Sequence, residues 1–199
     1  MPTELCELAV KYGVDKCTGH SYTPQYHILL NNLRGNELNM LEIGIGNMEL
    51  MRPLVGDSYQ PGASLRMWRD YFPKSHIFGC DIVPEVIFSE TRIKTYLADQ
   101  SNKISLLQLM QSIKTQTNSE TLDIILDDGS HIEEHMRLSF QVLWPFVKKG
   151  GLYIIEDIQG QFFESFKTLD KDFGFTDSEC VMAYKGTHYW DHFIAFKKI

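Results

Sequence analysis

The chain has 199 residues, 43% of them apolar, and it carries a formal net charge of −7. That length suits one well-buried core and is short for two, so we expect a single domain over residues 1–199. The acidic balance and the lack of any lysine or arginine run argue against a nucleic-acid partner. No apolar stretch reaches the ~18 residues of a membrane span and the first residues do not read as a signal peptide, so we expect a cytoplasmic protein with no membrane partner.

The predicted elements begin with two helices and continue in a βαβ rhythm. Short apolar, β-rich runs alternate with longer segments of helical period, which is typical of a parallel sheet with helices on both faces. The predicted helices are Thr3 to Tyr12, Thr23 to Leu33, Ser64 to Phe72, Asn102 to Lys114, His131 to Lys148 and Phe162 to Leu169. The predicted parallel strands are Asn39 to Gly46, His76 to Val83, Lys94 to Gln100, Leu122 to Gly129 and Gly151 to Ile158.

Two further segments depart from this rhythm. Asn47 to Ala63 contains Pro53 and Gly56 and exceeds the usual βα connection of about 2–6 residues, which predicts a long loop of the kind that forms lids or substrate walls. Near the C-terminus, Glu179 to Tyr184 and Tyr189 to Lys197 read as two strands joined by a short turn. We therefore predict an α/β fold with a doubly wound, mostly parallel, Rossmann-like sheet and an antiparallel C-terminal edge.

The ends of the first three strands carry residues suited to an adenosine-containing cofactor. In open α/β sheets, ligands bind beyond the carboxyl ends of the strands. The first strand ends in LEIGIG (41–46), and the second ends at Asp81, where a carboxylate would chelate the hydroxyls of a ribose. The alternative is that Gly44 and Gly46 only permit tight packing while Asp81 caps a turn. The third strand ends in ADQS (98–101), which would either contact the adenine or cap the next helix.

The densest acidic cluster closes the fourth and fifth strands. The fourth ends in Asp127 and Asp128, with His131 within one helical turn of them, and the fifth ends in Glu156 and Asp157. Neighbouring parallel strands lie about 4.8 Å apart, so Asp128, Glu156 and Asp157 would converge and would repel one another unless a cation lay between them. Hard oxygen ligands favour Mg²⁺, or Mn²⁺, over zinc. Beside such a metal, His131 is the candidate catalytic base.

Other interpretations of this segment stay open from the residues alone. Ser130 with Glu133 fits an S-x-x-E capping box, which would make Ser130 structural. His131 through His135 spells H-x-x-E-H, the pattern of one class of zinc peptidase. A peptidase of that class places this helix in a different fold, whereas here the motif directly follows a strand that ends in two aspartates. We therefore favour the acidic metal site.

Six ordered segments together resemble the catalytic domain of the metal-dependent macrolide-sugar O-methyltransferases of the mycinamicin and macrocin type. These proteins are a branch of the class I S-adenosylmethionine methyltransferases. The matching segments are YGVDKCTGHSYTPQY, LEIGIG, GASLRMWRDYFPKSHIFGCDI, ADQS, DIILDDGSHIEEH and GGLYIIEDI. They cover most of residues 12–158, which makes the resemblance far more specific than a glycine motif alone.

The resemblance implies a methyltransferase that uses S-adenosylmethionine and Mg²⁺ or Mn²⁺. It implies His131 as the catalytic base, with Asp128, Glu156 and Asp157 as metal ligands. The expected cofactor-binding residues are Glu42, Gly44, Ser64, Asp81, Ile82, Gln100, Ser101 and Asp127, of which Asp127 either faces the cofactor or supports its loop.

The expected acceptor is a small hydroxylated molecule, either a sugar or a nucleotide sugar. N-methylation of an amino sugar and a non-catalytic nucleotide-binding module are the alternative functions, because nothing in the sequence names the acceptor atom. Homo-oligomerisation is a further expectation, because Tyr189, Trp190 and Phe193 near the C-terminal edge would serve either an interface or the core.

Overall fold

The fold is built on one eight-stranded mixed sheet, seen in a computed structural model that describes residues 2–199. The strands are β1 (Asn39–Ile43), β2 (His76–Asp81), β3 (Ser89–Glu90), β4 (Ile93–Leu97), β5 (Leu122–Asp127), β6 (Val147–Ile155), β7 (Ser178–Lys185) and β8 (His192–Lys198). Their order across the sheet is β3-β4-β2-β1-β5-β6-β8-β7. The five strands from β4 to β6 in this order are parallel, β8 is antiparallel to β6, and β7 is antiparallel to β8. The predicted parallel sheet and antiparallel C-terminal edge are confirmed.

Helices cover both faces of this sheet. They are α1 (Glu4–Tyr12), α2 (Asp15–Thr18), α3 (Thr23–Leu30), α4 (Met48–Val55), α5 (Ala63–Tyr71), α6 (Lys103–Thr117), α7 (Glu133–Leu143), α8 (Phe163–Phe166) and α9 (Leu169–Asp172). Successive side chains of a strand point to opposite faces, so Met40 of β1 packs with Trp68 of α5 in one apolar cluster, whereas Leu41 packs with Phe140 of α7 in the other. The doubly wound arrangement follows from this alternation.

Several predicted segments differ from the structure. The helix predicted from Phe162 to Leu169 is interrupted, because α8 ends at Phe166 and α9 begins only at Leu169. The predicted loop of residues 47–63 contains α4, which begins where the Asn47 side chain accepts a hydrogen bond from the Leu50 amide (3.0 Å) and includes Pro53. The helix predicted from His131 to Lys148 is shorter: α7 ends at Leu143, a single 3-10 turn follows, and β6 begins at Val147. The C-terminal turn is longer than predicted, because β8 begins only at His192.

The capping box proposed for Ser130 and Glu133 is wrong. His131 adopts a left-handed backbone (φ +54°), so α7 begins later and its N-cap is Ile132, which makes no side-chain capping bond. The Ser130 hydroxyl instead lies 3.0 Å from His135 Nδ1. Within residues 2–199, no helix combines the length and apolar character needed to cross a bilayer.

Candidate active site

The topology brings the acidic residues to one edge of the sheet. β1, β5 and β6 are neighbours, and their registers pair Ile43 with Asp127 and Asp127 with Ile155. The residues that come after these positions therefore leave the sheet side by side at its carboxyl edge. This is the edge where open α/β sheets bind their ligands.

Three side chains at this edge form a compact group. Asp128, His131 and Asp157 each offer a ligand atom, and these atoms all lie within 4.8 Å of one another. His131 Nε2 lies 3.8 Å from Asp157 Oδ2. Both residues have left-handed backbones, with φ of +54° at His131 and +51° at Asp157, a conformation that is unfavourable for residues other than glycine and is often found at functional sites.

A lysine that the sequence reasoning missed lies at the centre of the acidic cluster. Lys16 of α2 is only 1% exposed, and its ammonium donates hydrogen bonds to Asp128 Oδ2 and Glu156 Oε2, both at 2.5 Å. The same nitrogen lies 3.6 Å from Glu42 Oε1. Burial alone would lower the pKa of Lys16, but the facing carboxylates outweigh it and raise that pKa well above its ordinary value. Lys16 thus supplies one positive charge between Asp128 and Glu156, and it makes no hydrogen bond to Asp157.

Glu156 is turned away from the group of three. Its Oε1 accepts a hydrogen bond from Tyr26 (2.5 Å) and its Oε2 accepts one from Lys16. Asp157, by contrast, remains beside His131 and accepts a hydrogen bond from Tyr22 (2.7 Å). The role of Glu156 as a metal ligand therefore stays a prediction, and the side chain would have to share or release these partners.

Asp127 and Gln100 support the loop after β5. Both side chains are buried, and Gln100 Nε2 donates to Asp127 Oδ1 (2.6 Å) while its Oε1 accepts from the Ser130 amide (2.9 Å). Ser139 donates to the second Asp127 oxygen. Burial raises the pKa of Asp127 to about 6. Of the two roles expected for Asp127, these contacts correspond to loop support, and cofactor contacts of Asp127 and Gln100 stay predictions.

Gly44 allows the end of β1 to approach the loop after β5. Its φ is +93°, and a Cβ at this position would lie 2.0 Å from the Asp128 carbonyl oxygen. The space beside Gly44 is therefore filled by protein backbone. This contact corresponds to the second interpretation given for Gly44 above, that the glycine permits tight packing. Nearby, Ser64 of α5 donates a hydrogen bond to Glu42 Oε2 of β1 (2.9 Å), which connects the two predicted cofactor-binding residues.

The end of β2 carries the predicted ribose carboxylate. Asp81 accepts hydrogen bonds from the Ile45 amide (2.8 Å) and the Val83 amide (3.0 Å), which fixes its position next to the loop after β1. Ile82 comes next with its side chain 64% exposed, an apolar surface at the carboxyl edge. Ser101 is also exposed and donates to Asp99 Oδ1 (2.6 Å), so it is accessible from this edge.

Replacement of Glu42 by glutamine should flatten the pH dependence of stability. Burial raises the pKa of Glu42 from 4.5 to about 7, so the folded protein keeps a proton that the unfolded chain loses. The contribution of Glu42 is fully present below pH 4.5 and is lost as the pH rises through about 7. The loss amounts to about 3 kcal/mol at most. Urea unfolding of wild type and Glu42→Gln from pH 5 to pH 8 measures this loss of unfolding free energy. Parallel pH profiles for the two proteins would contradict the raised pKa of Glu42.

Comparisons with known proteins relate the sequence and fold of this chain to a group of methyltransferases. No protein-family model matches the chain. The chain is 36% identical over 163 residues to an 8-demethyl-8-alpha-L-rhamnosyl tetracenomycin-C 2'-O-methyltransferase from Streptomyces olivaceus, a match that covers 82% of this chain and 40% of that protein. It is 38% identical over 164 residues to a demethylmacrocin O-methyltransferase from Streptomyces fradiae, which covers 82% and 38% of the two proteins.

The decisive comparison is with a solved structure. MycE methyltransferase from the mycinamycin biosynthetic pathway, in complex with Mg, SAH and mycinamycin VI, superposes with a TM-score of 0.75 at 29% identity. The match covers 98% of this chain and 54% of that one. The chain resembles the macrolide-sugar O-methyltransferases and has their class I methyltransferase fold. It spans about two fifths of the length of the curated methyltransferases described above.

Proposed function

We propose that this chain acts as an S-adenosylmethionine-dependent, Mg²⁺-assisted methyltransferase on a hydroxyl group of a sugar. The observation that carries the proposal is the group of Asp128, His131 and Asp157, which meet at the carboxyl edge of a class I methyltransferase sheet. Relatives that methylate sugar hydroxyls, and the Mg and SAH complex of MycE, support the same interpretation.

The side chains at this edge fit a hard divalent cation. Carboxylate oxygens are the ligands that Mg²⁺ and Mn²⁺ prefer, and Asp128 and Asp157 present them together, partly open to solvent. Glu156 is the proposed third ligand and shares Lys16 with Asp128. A bound cation would polarise the acceptor hydroxyl and fix its position for methyl transfer.

The neighbouring strand ends fit the cofactor. Asp81 is held by two backbone amides where a ribose would be chelated, and Ile82 presents an exposed apolar surface that a purine ring could cover. Ser101 is exposed near the end of β4, and Ser64 of α5 donates a hydrogen bond to Glu42 of β1. S-adenosylmethionine would supply the electrophilic methyl group.

His131 would remove the proton of the acceptor hydroxyl. Its Nε2 lies 3.8 Å from Asp157 Oδ2, which places the ring at the edge of the site. We expect His131→Ala to lower kcat by about 10²- to 10⁴-fold, the usual contribution of general-base catalysis. The affinity for S-adenosylmethionine should stay unchanged, which equilibrium dialysis would show. His135→Ala is the matched control, because His135 contacts Ser130 and lies outside the group of Asp128, His131 and Asp157. The His135→Ala variant should keep most of the wild-type activity. Equal losses in the two variants would remove His131 from the mechanism.

Methyl transfer itself is tested with methyl-labelled S-adenosylmethionine and a panel of glycosides, nucleotide sugars, amino sugars and catechols. We expect label in a sugar hydroxyl when Mg²⁺ is present and a loss of transfer in chelator. Metal-independent transfer to an amine would instead indicate an N-methyltransferase. Cofactor binding without transfer to any acceptor would indicate a non-catalytic module. If the chain bound no cofactor and transferred no label, the proposal would be rejected altogether.

A further inference from the structure

Lys16 is a buried cation that the proposed methyl transfer does not use. The residue is 1% exposed, and its ammonium donates hydrogen bonds of 2.5 Å to Asp128 and Glu156. These are two of the three residues proposed to bind the divalent cation. The ammonium therefore already engages oxygens of two proposed metal ligands, and the arrival of a second cation has to change its position or its partners.

Glu156 shows which partner has to give way. Its Oε1 accepts a hydrogen bond from the Tyr26 hydroxyl, and its Oε2 accepts one from Lys16. Mg²⁺ requires ligand oxygens at about 2.1 Å, so an ion bound to Glu156 would lie next to the ammonium. Two cations that close repel each other strongly where little solvent screens them. Burial raises the pKa of Tyr26 well above its ordinary value, so its hydroxyl is uncharged and can stay, whereas Lys16 has to move.

An unpartnered carboxylate oxygen lies within reach of the displaced ammonium. Glu42 is 0% exposed, and its Oε1 is buried without a hydrogen-bond partner among residues 2–199. This oxygen lies 3.6 Å from Lys16 Nζ, so a shift of less than about 1 Å would bring the two atoms to hydrogen-bonding distance. The other oxygen of Glu42 accepts from Ser64 at 2.9 Å, which holds the carboxylate in place. A buried acceptor without a partner is costly, and the ammonium would satisfy it.

We propose that Lys16 is a positioning residue that holds Asp128 and Glu156 in the metal-free protein and moves its ammonium to Glu42 Oε1 when a divalent cation binds. The inference rests on the proposed function, because it takes Asp128, Glu156 and Asp157 as the metal ligands. The move leaves no buried charge unpaired at either stage, since Lys16 exchanges one carboxylate partner for another while Asp128 and Glu156 exchange the ammonium for the metal. Glu42 then serves the metal site through Lys16.

Crystal structures of the chain with SAH, grown with Mn²⁺ and with chelator, test the move directly, because anomalous scattering locates Mn²⁺. With chelator, we expect Lys16 Nζ to contact Asp128 and Glu156. With Mn²⁺, we expect Glu156 among the metal ligands and Lys16 Nζ about 3 Å from Glu42 Oε1. Mn²⁺ bound at Asp128 and Asp157 with the ammonium unmoved would overturn the inference and leave the proposed function intact. Crystals with no Mn²⁺ at this edge would reject the metal site and the inference together.

A double-mutant cycle provides the second test, with Mg²⁺ binding to the SAH-saturated protein measured by calorimetry. The titrations are run at pH 8, where Glu42, with its pKa raised by burial to about 7, is ionised. We expect Glu42→Gln to weaken Mg²⁺ binding about tenfold in the wild-type background, because the displaced ammonium finds only an amide. In the Lys16→Met background, the same change should weaken binding less than about twofold.

Asp15→Asn is the matched control for the cycle, because Asp15 acts on the Lys16 ammonium through its charge alone. It should change Mg²⁺ affinity by the same factor in both backgrounds. Equal effects of Glu42→Gln in the two backgrounds would overturn the inference. If the Lys16→Met proteins did not fold, the crystal structures of the wild type would still decide whether the ammonium moves.

Discussion

Replacement of Lys16 by methionine is expected to lower the free energy of unfolding by about 3–5 kcal/mol at neutral pH in chelator, the usual cost of removing one partner from a buried ion pair. Methionine matches the length of the lysine side chain but leaves Asp128 and Glu156 without the ammonium that they share. An unpaired carboxylate would then remain in a region with little solvent to screen its charge.

Chemical denaturation of both proteins measures this loss. Lys11→Met is the matched control, because Lys11 pairs with Asp70 on the surface with its side chain 58% exposed and should contribute little to stability. Added Mg²⁺ should recover part of the deficit in Lys16→Met, because a divalent cation at Asp128 would replace the lost positive charge. If Lys16→Met were as stable as Lys11→Met, the buried ammonium would not be what holds the acidic cluster together.

Asp128→Asn should lower methyl transfer by about 10⁴-fold or more, beyond the range expected for His131→Ala. The loss would combine weaker metal binding with poorer positioning of the acceptor, and positioning alone can be worth roughly 7 kcal/mol. Asparagine can still accept a hydrogen bond from Lys16, so the fold should survive. The loss should exceed that of His131→Ala, because the base depends on an acceptor that is already in place.

Turnover and a Mg²⁺ titration by calorimetry would together test this variant. Asp123→Asn is a matched control on the same strand, because Asp123 lies at the opposite end of β5 and accepts hydrogen bonds from Asn39 (2.9 Å) and Lys148 (3.0 Å). The Asp123→Asn variant should keep the metal affinity and the turnover of the wild type. Full turnover of Asp128→Asn in metal-free buffer would refute a metal-centred mechanism, whatever the effect of His131→Ala.

The sheet was predictable from the sequence because its central strands are buried on both faces. In Leu122–Asp127, four of the six residues are apolar and the strand ends in an aspartate, so composition and the position of the acidic residue both indicate a buried strand. The position of the acidic residues at strand ends then predicts that they share one edge. The connections after the strands were less predictable, and α4 was missed because Pro53 and Gly56 are more typical of loops.

The role of Lys16 could not be derived from local pattern. Lysine is almost never fully buried unless it is paired, and the partners of Lys16 are 112 and 140 residues away in the chain. Only the fold brings α2 over the ends of β5 and β6. The one available signal was that Lys16 lies in the first segment that resembles the sugar methyltransferases. The orientation of Glu156 was missed for the same reason, because it depends on Lys16 and Tyr26.

The left-handed backbones of His131 and Asp157 have a practical consequence for engineering. Such a backbone costs an ordinary residue about 1 kcal/mol or more, and glycine would avoid that cost. A search for thermostable variants would therefore test glycine at positions 131 and 157, yet each replacement would delete a side chain of the candidate site, and at position 157 it would also remove the acceptor of the Tyr22 hydrogen bond. Asn118 has the same backbone at the end of α6, far from this edge, and a glycine there would carry no such penalty. Stability and chemistry thus compete at two positions of this chain, and a selection for stability alone would remove the chemistry first.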